Sequence, residues 1–173
     1  MRIWTIFFIM ISVVKPIMAK DEVQLYGYVE KVTLVEKQLP LSAKLDTGAK
    51  SASLNASQIT EFQKDGKPYL RFIVSTKDNK EYLFEAPYVG KVKIKVRAQE
   101  GGSCSQTAPI KRPVVLMSVQ LGQQVKSIKV NLTNRKRFNY PFLLGRDAII
   151  AFNGAVNPAL KFTMSKSSTN HEK

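Results

Sequence analysis

The sequence predicts an all-β protein, a small closed β-barrel with one short helix. Short segments rich in β-branched and aromatic residues recur along the chain, and turn residues at 64–68, 77–80 and 122–124 separate them. Short strands at regular spacing are typical of a barrel, whose closure leaves no open sheet edge. The one good site for a short helix is residues 146–152, after a turn at Gly145.

Apolar patterning gives the individual strands. We predict strands at residues 23–37, 69–74, 82–84, 114–121 and 125–132. Residues 91–97 alternate basic and apolar side chains, so one face of that segment is basic. This face is either a solvated edge protected by lysine or a surface that holds an acidic substrate. The long Gly/Ser-rich loop at residues 98–111 is a candidate flap over a site.

The first residues predict export. A charged start, an apolar run at residues 3–14 and a small residue, Ala19, are typical of a signal peptide covering residues 1–19. The run is shorter than the roughly 20 residues that span a membrane, so we expect no stable membrane insertion after cleavage. Residues 20–163 then form one domain, residues 164–173 form a disordered polar tail, and the protein is periplasmic or secreted.

The charge of the chain points to acidic partners. The net charge is +14 and becomes 14 − 2 = +12 when the predicted signal peptide, with Arg2 and Lys15, is removed. Such a charge attracts acidic polypeptides, anionic polymers or membrane surfaces. Clusters that interleave basic and aromatic residues are lacking, so we expect no nucleic acid.

Two residue types limit the chemistry. Cys104 is the only cysteine and His171 the only histidine in the 173 residues. An intramolecular disulfide is therefore excluded, a cysteine–histidine catalytic pair is disfavoured, and the usual ligand set for zinc cannot be assembled. We predict Cys104 to be an incidental loop thiol and expect neither a metal nor another cofactor.

Two motifs carry the functional prediction. Residues 44–50 read Lys-Leu-Asp-Thr-Gly-Ala-Lys, and residues 142–147 read Phe-Leu-Leu-Gly-Arg-Asp. An Asp-Thr-Gly after an apolar strand, followed later by an apolar pair and Gly, is typical of one lobe of an aspartic peptidase. Asp46 is then the catalytic carboxylate, and the alternative is an ordinary turn or cap residue. Because the chain has one such set, a complete site needs a second chain.

The neighbours of Asp46 suit this chemistry. Two carboxylates within about 3 Å share one proton, so the pair can both activate water and protonate the substrate carbonyl. The N–H of Gly48 can donate to the carboxylate, and Thr47 can hold the two loops in register across a symmetric interface. Gly145, after the apolar Leu144, gives the catalytic loop room to pass.

The chain resembles the retropepsin-like aspartic peptidases, and in particular the bacterial family labelled ATP-dependent zinc proteases and associated with RimK-type ribosomal-protein modification. The resemblance rests on residues 44–54, 112–115 and 134–149 and extends from about residue 26 to 162. It implies a small barrel, a homodimeric site with one Asp46 per subunit, a supporting role for Ala49, and endopeptidase or related amide-bond hydrolysis.

The chain departs from the family pattern at two positions. Many members have histidine where this chain has Asn55, and the viral relatives have an acid where this chain has Lys50. The viral acid pairs with the arginine of the second motif. We therefore hypothesise that Asp147 compensates here by pairing with Lys50 or with Arg146. The chain also has no phosphate-cradling motif. Its residues therefore support neither the ATP-dependent part nor the zinc part of the family label.

The arginines have alternative roles. Arg112 is either a substrate-binding residue, together with Lys50, or a surface residue at a strand entry. Arg146 is more consistent with bracing the catalytic loop than with touching substrate. We interpret residues 135–137, Arg-Lys-Arg, as a solvated turn that could also bind acidic side chains.

Two functions follow from these observations. The first is an exported aspartic endopeptidase that works as a homodimer and needs neither metal nor ATP. Its substrate is a polypeptide, and acidic polypeptides are among the candidates. The alternative is a non-catalytic β-barrel that binds acidic peptides or anionic envelope polymers. The second rests on the net charge, and it predicts salt-sensitive binding that survives Asp46→Asn.

Overall fold

The computed structural model describes residues 22–76, 78–94 and 109–166. Its strands are β1 (Gln24–Leu34), β2 (Leu39–Asp46), β3 (Ala52–Asn55), β4 (Ser57–Lys64), β5 (Lys67–Ser75), β6 (Glu81–Ile94), β7 (Ile110–Leu121), β8 (Gln124–Thr133), β9 (Phe142–Gly145) and β10 (Gly154–Lys161). Two short helices, α1 (Arg146–Ala151) and α2 (Thr163–Lys166), and a 3₁₀ turn at Val35–Lys37 complete these segments.

Six of the strands close into a barrel. They follow the order β1, β2, β9, β3, β8 and β7, and β7 pairs back onto β1. The closing contact places Val32 opposite Leu121 and Leu34 opposite Val119. The predicted all-β closed barrel with a short helix after the Gly-Arg-Asp motif is therefore confirmed.

The barrel encloses an apolar core. Side chains alternate across each strand, so every second residue points inwards. The fully buried residues of the central strands include Ala43, Leu45, Leu54, Val115, Val130, Phe142 and Leu144. Removing such side chains from water is the main favourable contribution to folding, at about 1.5–3 kcal/mol for each large one.

Two additions extend from the barrel. On one side β6, β5 and β4 continue from β7 as antiparallel strands, and β4 and β5 are joined by a tight turn with positive φ at Asp65 and Gly66. On the other side β10 runs parallel to β1 and ends the sheet. β10 contains Pro158, which an edge position tolerates because one side of the strand needs no ladder hydrogen bonds.

The predicted strands overlap β1, β5, β6, β7 and β8, and all except the first were predicted too short. β6 continues to Ile94 and so includes the first part of the predicted basic strand, whereas residues 23–37 end in a 3₁₀ turn closed by Gln38 at φ 50°. β3, β4, β9 and β10 were not predicted as strands: small or polar residues dominate β3, β4 and β10, and β9 is only four residues long. The predicted helix begins at Arg146 and ends at Ala151, one residue early.

Several predictions concern residues outside the described ranges. These are the signal peptide, Cys104, His171, residues 95–97 and nearly all of the candidate flap. The helical turn α2 occupies the first residues of the segment predicted as a disordered tail. Among the residues that are described, no helix is long and apolar enough to cross a membrane.

Candidate active site

Asp46 is the last residue of β2, and both of its carboxylate oxygens have partners. The backbone N–H of Gly48 donates to Oδ1 at 3.0 Å, and the Nζ of Lys44 lies 3.5 Å from Oδ2. The loop turns at once, since the N–H of Ala49 donates to the Asp46 carbonyl at 3.2 Å. The carboxylate is 29% exposed, so it is both fixed in orientation and open to solvent.

The second motif lies beside the first. β2 and β9 are parallel, with Asp46 paired to Gly145 and Leu45 to the buried Leu144. Arg146 then braces the loop after Asp46, because its Nη1 donates to the carbonyl oxygens of Thr47 at 3.0 Å and Gly48 at 3.4 Å. The two motifs, about a hundred residues apart in sequence, thus form one structural unit.

Gly145 has a steric role at this junction. A Cβ atom on Gly145 would lie 2.7 Å from the carbonyl oxygens of both Lys50 and Ser51. The backbone of α1 meets the same loop, where Arg146 N–H donates to the Ala49 carbonyl at 2.8 Å and Asp147 N–H to the Lys50 carbonyl at 3.0 Å. Glycine therefore allows the close approach that these bonds require.

The hypothesised pairing of Asp147 is wrong within the single chain. The ion pairs found among the described residues join neither Lys50 nor Arg146 to the Asp147 carboxylate. The Arg146 guanidinium is turned towards the loop carbonyls, which leaves Asp147 bonded through its backbone. Hydrogen bonds to carbonyl oxygens have replaced the ion pair expected from the viral pattern.

A row of paired residues runs across the sheet next to Asp46. Lys44 pairs with Leu143, Leu143 with Ser53, Ser53 with Asn131, and Asn131 with Val114. Paired residues project from the same face of a sheet. Asp46 follows Lys44 by two residues and so projects from that face too. Leu143, the first residue of the apolar pair before Gly145, is only half buried.

This face forms the floor of a cavity of about 620 Å³. The cavity begins at the loop after Asp46 and extends between α1 and the ends of β6 and β7. The charged residues among its described lining are Lys50, Lys93, Arg112, Lys129, Arg135 and Asp147. Five cations and one carboxylate give the cavity a positive potential, which suits an anionic ligand.

Arg135 corrects the prediction of a solvated turn. Lys136 and Arg137 are exposed, but Arg135 is only 7% exposed and its guanidinium lies 4.3 Å from the centre of the Phe138 ring. Burial, and then the charge of Arg112, lower the pKa of Arg135, whereas the charge of Asp46 acts in the opposite direction. Two arginines that repel each other across one cavity favour an anion between them.

Asn55 supports the same loop. Its Oδ1 accepts a hydrogen bond from the backbone N–H of Arg135 at 2.6 Å, and its own N–H donates to the Pro141 carbonyl at 2.7 Å. Asn55 therefore has a structural role. Local sequence patterns do not reveal that Asn55 fixes Arg135, because the contact joins residues 80 positions apart.

Two further cavity residues were missed by the sequence analysis. Asn131 is buried and donates to the Ala52 carbonyl at 2.5 Å and to Ser51 Oγ at 3.2 Å, and Arg112 Nη1 donates to its Oδ1 at 3.5 Å. Ser53 is 4% exposed, and its Oγ has no hydrogen-bond partner among the described residues. A buried hydroxyl without a partner is costly. Ser53 lies on the cavity wall.

The closed barrel with one short helix is consistent with a retropepsin-like fold. Residues 25–167 match the family model described as RimB-like, retropepsin-like aspartic endopeptidase RimB. The chain therefore belongs to the RimB-like family of retropepsin-like aspartic endopeptidases. This confirms the retropepsin-like resemblance predicted from the motifs.

Curated relatives extend the comparison. The chain is 27% identical over 126 residues to a probable alpha-L-glutamate ligase of Shewanella pealeana, covering 73% of this chain and 26% of the relative. It is 28% identical over 147 residues to a probable alpha-L-glutamate ligase of Desulfotalea psychrophila, covering 83% and 30%. The chain thus spans about a quarter to a third of the length of these relatives.

A solved structure resembles the chain more closely. The crystal structure of a protein of unknown function from Legionella pneumophila is 62% identical, with a TM-score of 0.72, and the match covers 83% of this chain and 99% of the other. The similarity supports the barrel described above and assigns no activity.

Proposed function

We propose that the protein is an exported aspartic endopeptidase whose site is formed by two Asp46 carboxylates, one from each subunit of a homodimer. The observation that supports this most is the fixed orientation of Asp46, with Oδ1 held by the Gly48 N–H in a loop braced by Arg146. Proton transfer needs a carboxylate that is held in place and still reaches the reacting atoms.

The proposed mechanism uses the two carboxylates in different protonation states. The ionised Asp46 takes a proton from water as the water oxygen bonds to the peptide carbonyl carbon, and the partner subunit's Asp46 gives its proton to the carbonyl oxygen. A neutral gem-diol results. The C–N bond then breaks as Asp46 protonates the leaving nitrogen and the partner subunit's Asp46 takes back a hydroxyl proton. The two Asp46 carboxylates balance the reaction, so neither a metal nor ATP is part of this proposal.

We further propose that the substrate is acidic. The cavity beside Asp46 carries five cationic side chains, including Arg112 and the buried Arg135, against one carboxylate. Relatives that contain a segment like this chain are named as probable alpha-L-glutamate ligases, so a peptide with glutamate residues is a consistent substrate. Lys50 is one of these five cations and is exposed, so it can contribute to the attraction of an acidic substrate.

The proposed place of action rests on the sequence. Residues 1–19 have the pattern of a signal peptide, and a domain that starts at residue 20 contains the whole barrel. We therefore propose a periplasmic or secreted enzyme. N-terminal sequencing of the protein recovered from cells would test this, since a mature chain beginning at Met1 would contradict export.

Peptide cleavage tests the activity. We would compare the purified protein with Asp46→Asn on matched fluorogenic peptides that differ only in Glu against Gln, from about pH 4 to 8 with EDTA present. We expect the unaltered protein to cleave the Glu peptide and Asp46→Asn to be inactive but folded, because asparagine keeps an oxygen for the Gly48 N–H. Turnover by Asp46→Asn would rule out the proposed mechanism.

Charge substitutions test the substrate. Arg112→Met should raise KM for the Glu peptide about tenfold with a smaller change for the Gln peptide, because a charged partner is lost. Lys67→Met removes a charge of the same sign from an exposed β5 position and serves as the control. Equal effects of both substitutions on both peptides would contradict a specific acidic site.

The basic cavity also favours a second candidate function. A barrel with this cavity could bind an acidic peptide without cleaving it. In that case the Glu peptide would bind equally well to the unaltered protein and to Asp46→Asn, with affinity that falls as salt rises, and neither protein would release product. Calorimetry on the same two proteins separates the candidates.

A further inference from the structure

Lys44 contacts the carboxylate on which the proposed function depends. Its Nζ lies 3.5 Å from Oδ2 of Asp46, while Oδ1 is occupied by the Gly48 N–H at 3.0 Å. The Lys44 side chain is 45% exposed, so the ammonium is reachable from outside the chain. Each oxygen of Asp46 therefore has its own positively polarised partner.

The sheet fixes the position of this lysine. Lys44 lies on β2 between β1 and β9, paired with Val29 on one side and with Leu143 on the other. Lys44 and Asp46 are two residues apart on one strand, so their side chains project from the same face. The sheet therefore fixes the backbone of Lys44, and movement relative to Asp46 comes from the lysine side chain.

We propose that Lys44 is a positioning residue that supplies a counter-charge to the pair of Asp46 carboxylates in the dimer. Its ammonium offsets the charge of the Asp46 in its own chain, so that two chains can associate while both carboxylates are ionised. The proposal rests on the homodimer of the proposed function. It assigns Lys44 a role that acts through Asp46 and requires no contact with substrate.

The physical reason is the repulsion between the two carboxylates. Two such groups within about 3 Å cannot both stay ionised unless another charge compensates, and sharing a proton is the usual solution. Sharing a proton no longer relieves the repulsion once the pH is high enough to remove that proton. Coulomb energy varies as the inverse of distance, so an ammonium at 3.5 Å from each carboxylate attracts it about as strongly as the two carboxylates repel each other.

Other charged groups around Asp46 are engaged differently. The Arg146 guanidinium of α1 donates to the loop carbonyls, and Arg135 is buried in the loop that precedes β9, although its charge acts on Asp46. The remaining charged neighbours are the cavity residues Lys50, Lys93, Arg112, Lys129 and Asp147. Among the ion pairs of the described residues, the contact with Lys44 is the one that includes Asp46.

The test is the dissociation constant of the dimer, measured by sedimentation equilibrium at about pH 4.5 and pH 7.5, on either side of the range in which carboxylates and their pairs titrate. The proteins are the unaltered chain, Lys44→Met, Lys44→Arg, Asp46→Asn and the double variant Lys44→Met/Asp46→Asn. Circular dichroism confirms that each is folded. Lys67→Met controls for the loss of one exposed positive charge.

We expect Lys44→Met to weaken the dimer about tenfold at the higher pH, since two partly exposed ion pairs are lost, and to have little effect at the lower pH, where a proton already relieves the repulsion. Lys44→Arg should resemble the unaltered chain because it keeps the charge. In the Asp46→Asn background the lysine substitution should have no further effect, which isolates the Lys44–Asp46 interaction.

Two results would overturn the proposal and distinguish it from the proposed function. A dimer whose stability is unchanged by Lys44→Met at both pH values, or is weakened equally in the Asp46→Asn background, contradicts the role of Lys44 and leaves the peptidase intact. A chain that stays monomeric at every concentration contradicts the homodimer itself, and the role of Lys44 is then lost with it.

Discussion

Arg146 Nη1 donates a hydrogen bond to the carbonyl oxygen of Thr47 at 3.0 Å, joining residues 99 positions apart. The same nitrogen lies 3.4 Å from the Gly48 carbonyl, and the Arg146 N–H donates to the Ala49 carbonyl at 2.8 Å. The first residue of α1 therefore fixes three consecutive residues of the loop after Asp46. The geometry of the carboxylate depends on a residue that never contacts it directly.

Replacing Arg146 should separate loop geometry from fold. Arg146→Met removes the two side-chain bonds and keeps the backbone bond, so we expect a loss of about 1 kcal/mol in the free energy of unfolding, because the side chain is exposed. Turnover should fall by about tenfold or more, since small displacements of a catalytic group are costly. Thermal unfolding and peptide cleavage measure the two effects. Arg146→Lys can restore one bond, so its turnover should lie between that of the unaltered chain and that of Arg146→Met. Full activity of Arg146→Met would contradict the bracing role.

Gly145 should not tolerate even the smallest side chain. Gly145→Ala places a Cβ atom 2.7 Å from two backbone oxygens, which cannot rotate away as side chains can. We expect the free energy of unfolding to fall by about 2–3 kcal/mol, measured by urea denaturation. Gly66→Asn is the control, because nothing lies within 4 Å of Gly66 and asparagine accepts its positive φ. Similar losses for both variants would show that loss of glycine, rather than crowding, is the cause.

The sequence allowed the barrel and the loop after Asp46 to be predicted because both depend on local patterns. Asp-Thr-Gly, the apolar pair of β9 and the helix start at Arg146 are contiguous motifs, and the long strands alternate visibly. β3 and β10 were missed because they are short or rich in small and polar residues. Their pairing with β8 and β1 is decided by tertiary contacts.

The cavity could not have been predicted from local patterns. Arg135 reads as part of a basic turn, and local patterns show neither its burial nor its contacts with Asn55 and Phe138. Lys44 reads as an ordinary polar residue of an alternating strand until its distance to Asp46 is known. The surroundings of Arg135 depend on which strands become neighbours, and local patterns do not reveal that.

Asn131 should be sensitive to loss of its donor. Its Nδ2 donates to the Ala52 carbonyl at 2.5 Å, and the residue is 2% exposed. Asn131→Asp replaces this donor with a carboxylate oxygen facing a carbonyl, so we expect a loss of about 2–4 kcal/mol at neutral pH. The loss should shrink as the pH falls, because a protonated carboxyl can donate again. Asn134→Asp, whose Oδ1 only accepts from the exposed Lys136 N–H, should change stability by less than about 0.5 kcal/mol.

Glu30 holds the end of the described chain against the barrel. Its carboxylate is fully buried, and its Oε1 accepts from the Gly27 N–H at 2.7 Å, the Thr163 N–H at 2.9 Å and the Thr163 Oγ1 at 2.6 Å. Its Oε2 accepts from the Met164 N–H at 3.3 Å. After burial, the charge of Glu30 is the second cause that raises the pKa of Tyr26. All four contacts require an acceptor.

Glu30→Gln should therefore loosen α2 and β10. The amide oxygen can replace Oε1, but the amide nitrogen would then face the Met164 N–H, so two donors meet. We expect the free energy of unfolding to fall by about 2–4 kcal/mol, since charge-assisted hydrogen bonds to a buried carboxylate are lost. The pKa of Tyr26 should move back towards its ordinary value, which the phenolate absorbance would report. Glu36→Gln is the matched control, because its single acceptor contact with the Ser118 N–H is exposed and an amide oxygen can keep it. Equal losses in Glu30→Gln and Glu36→Gln, with Tyr26 unchanged, would mean that the buried carboxylate does not secure the end of the barrel.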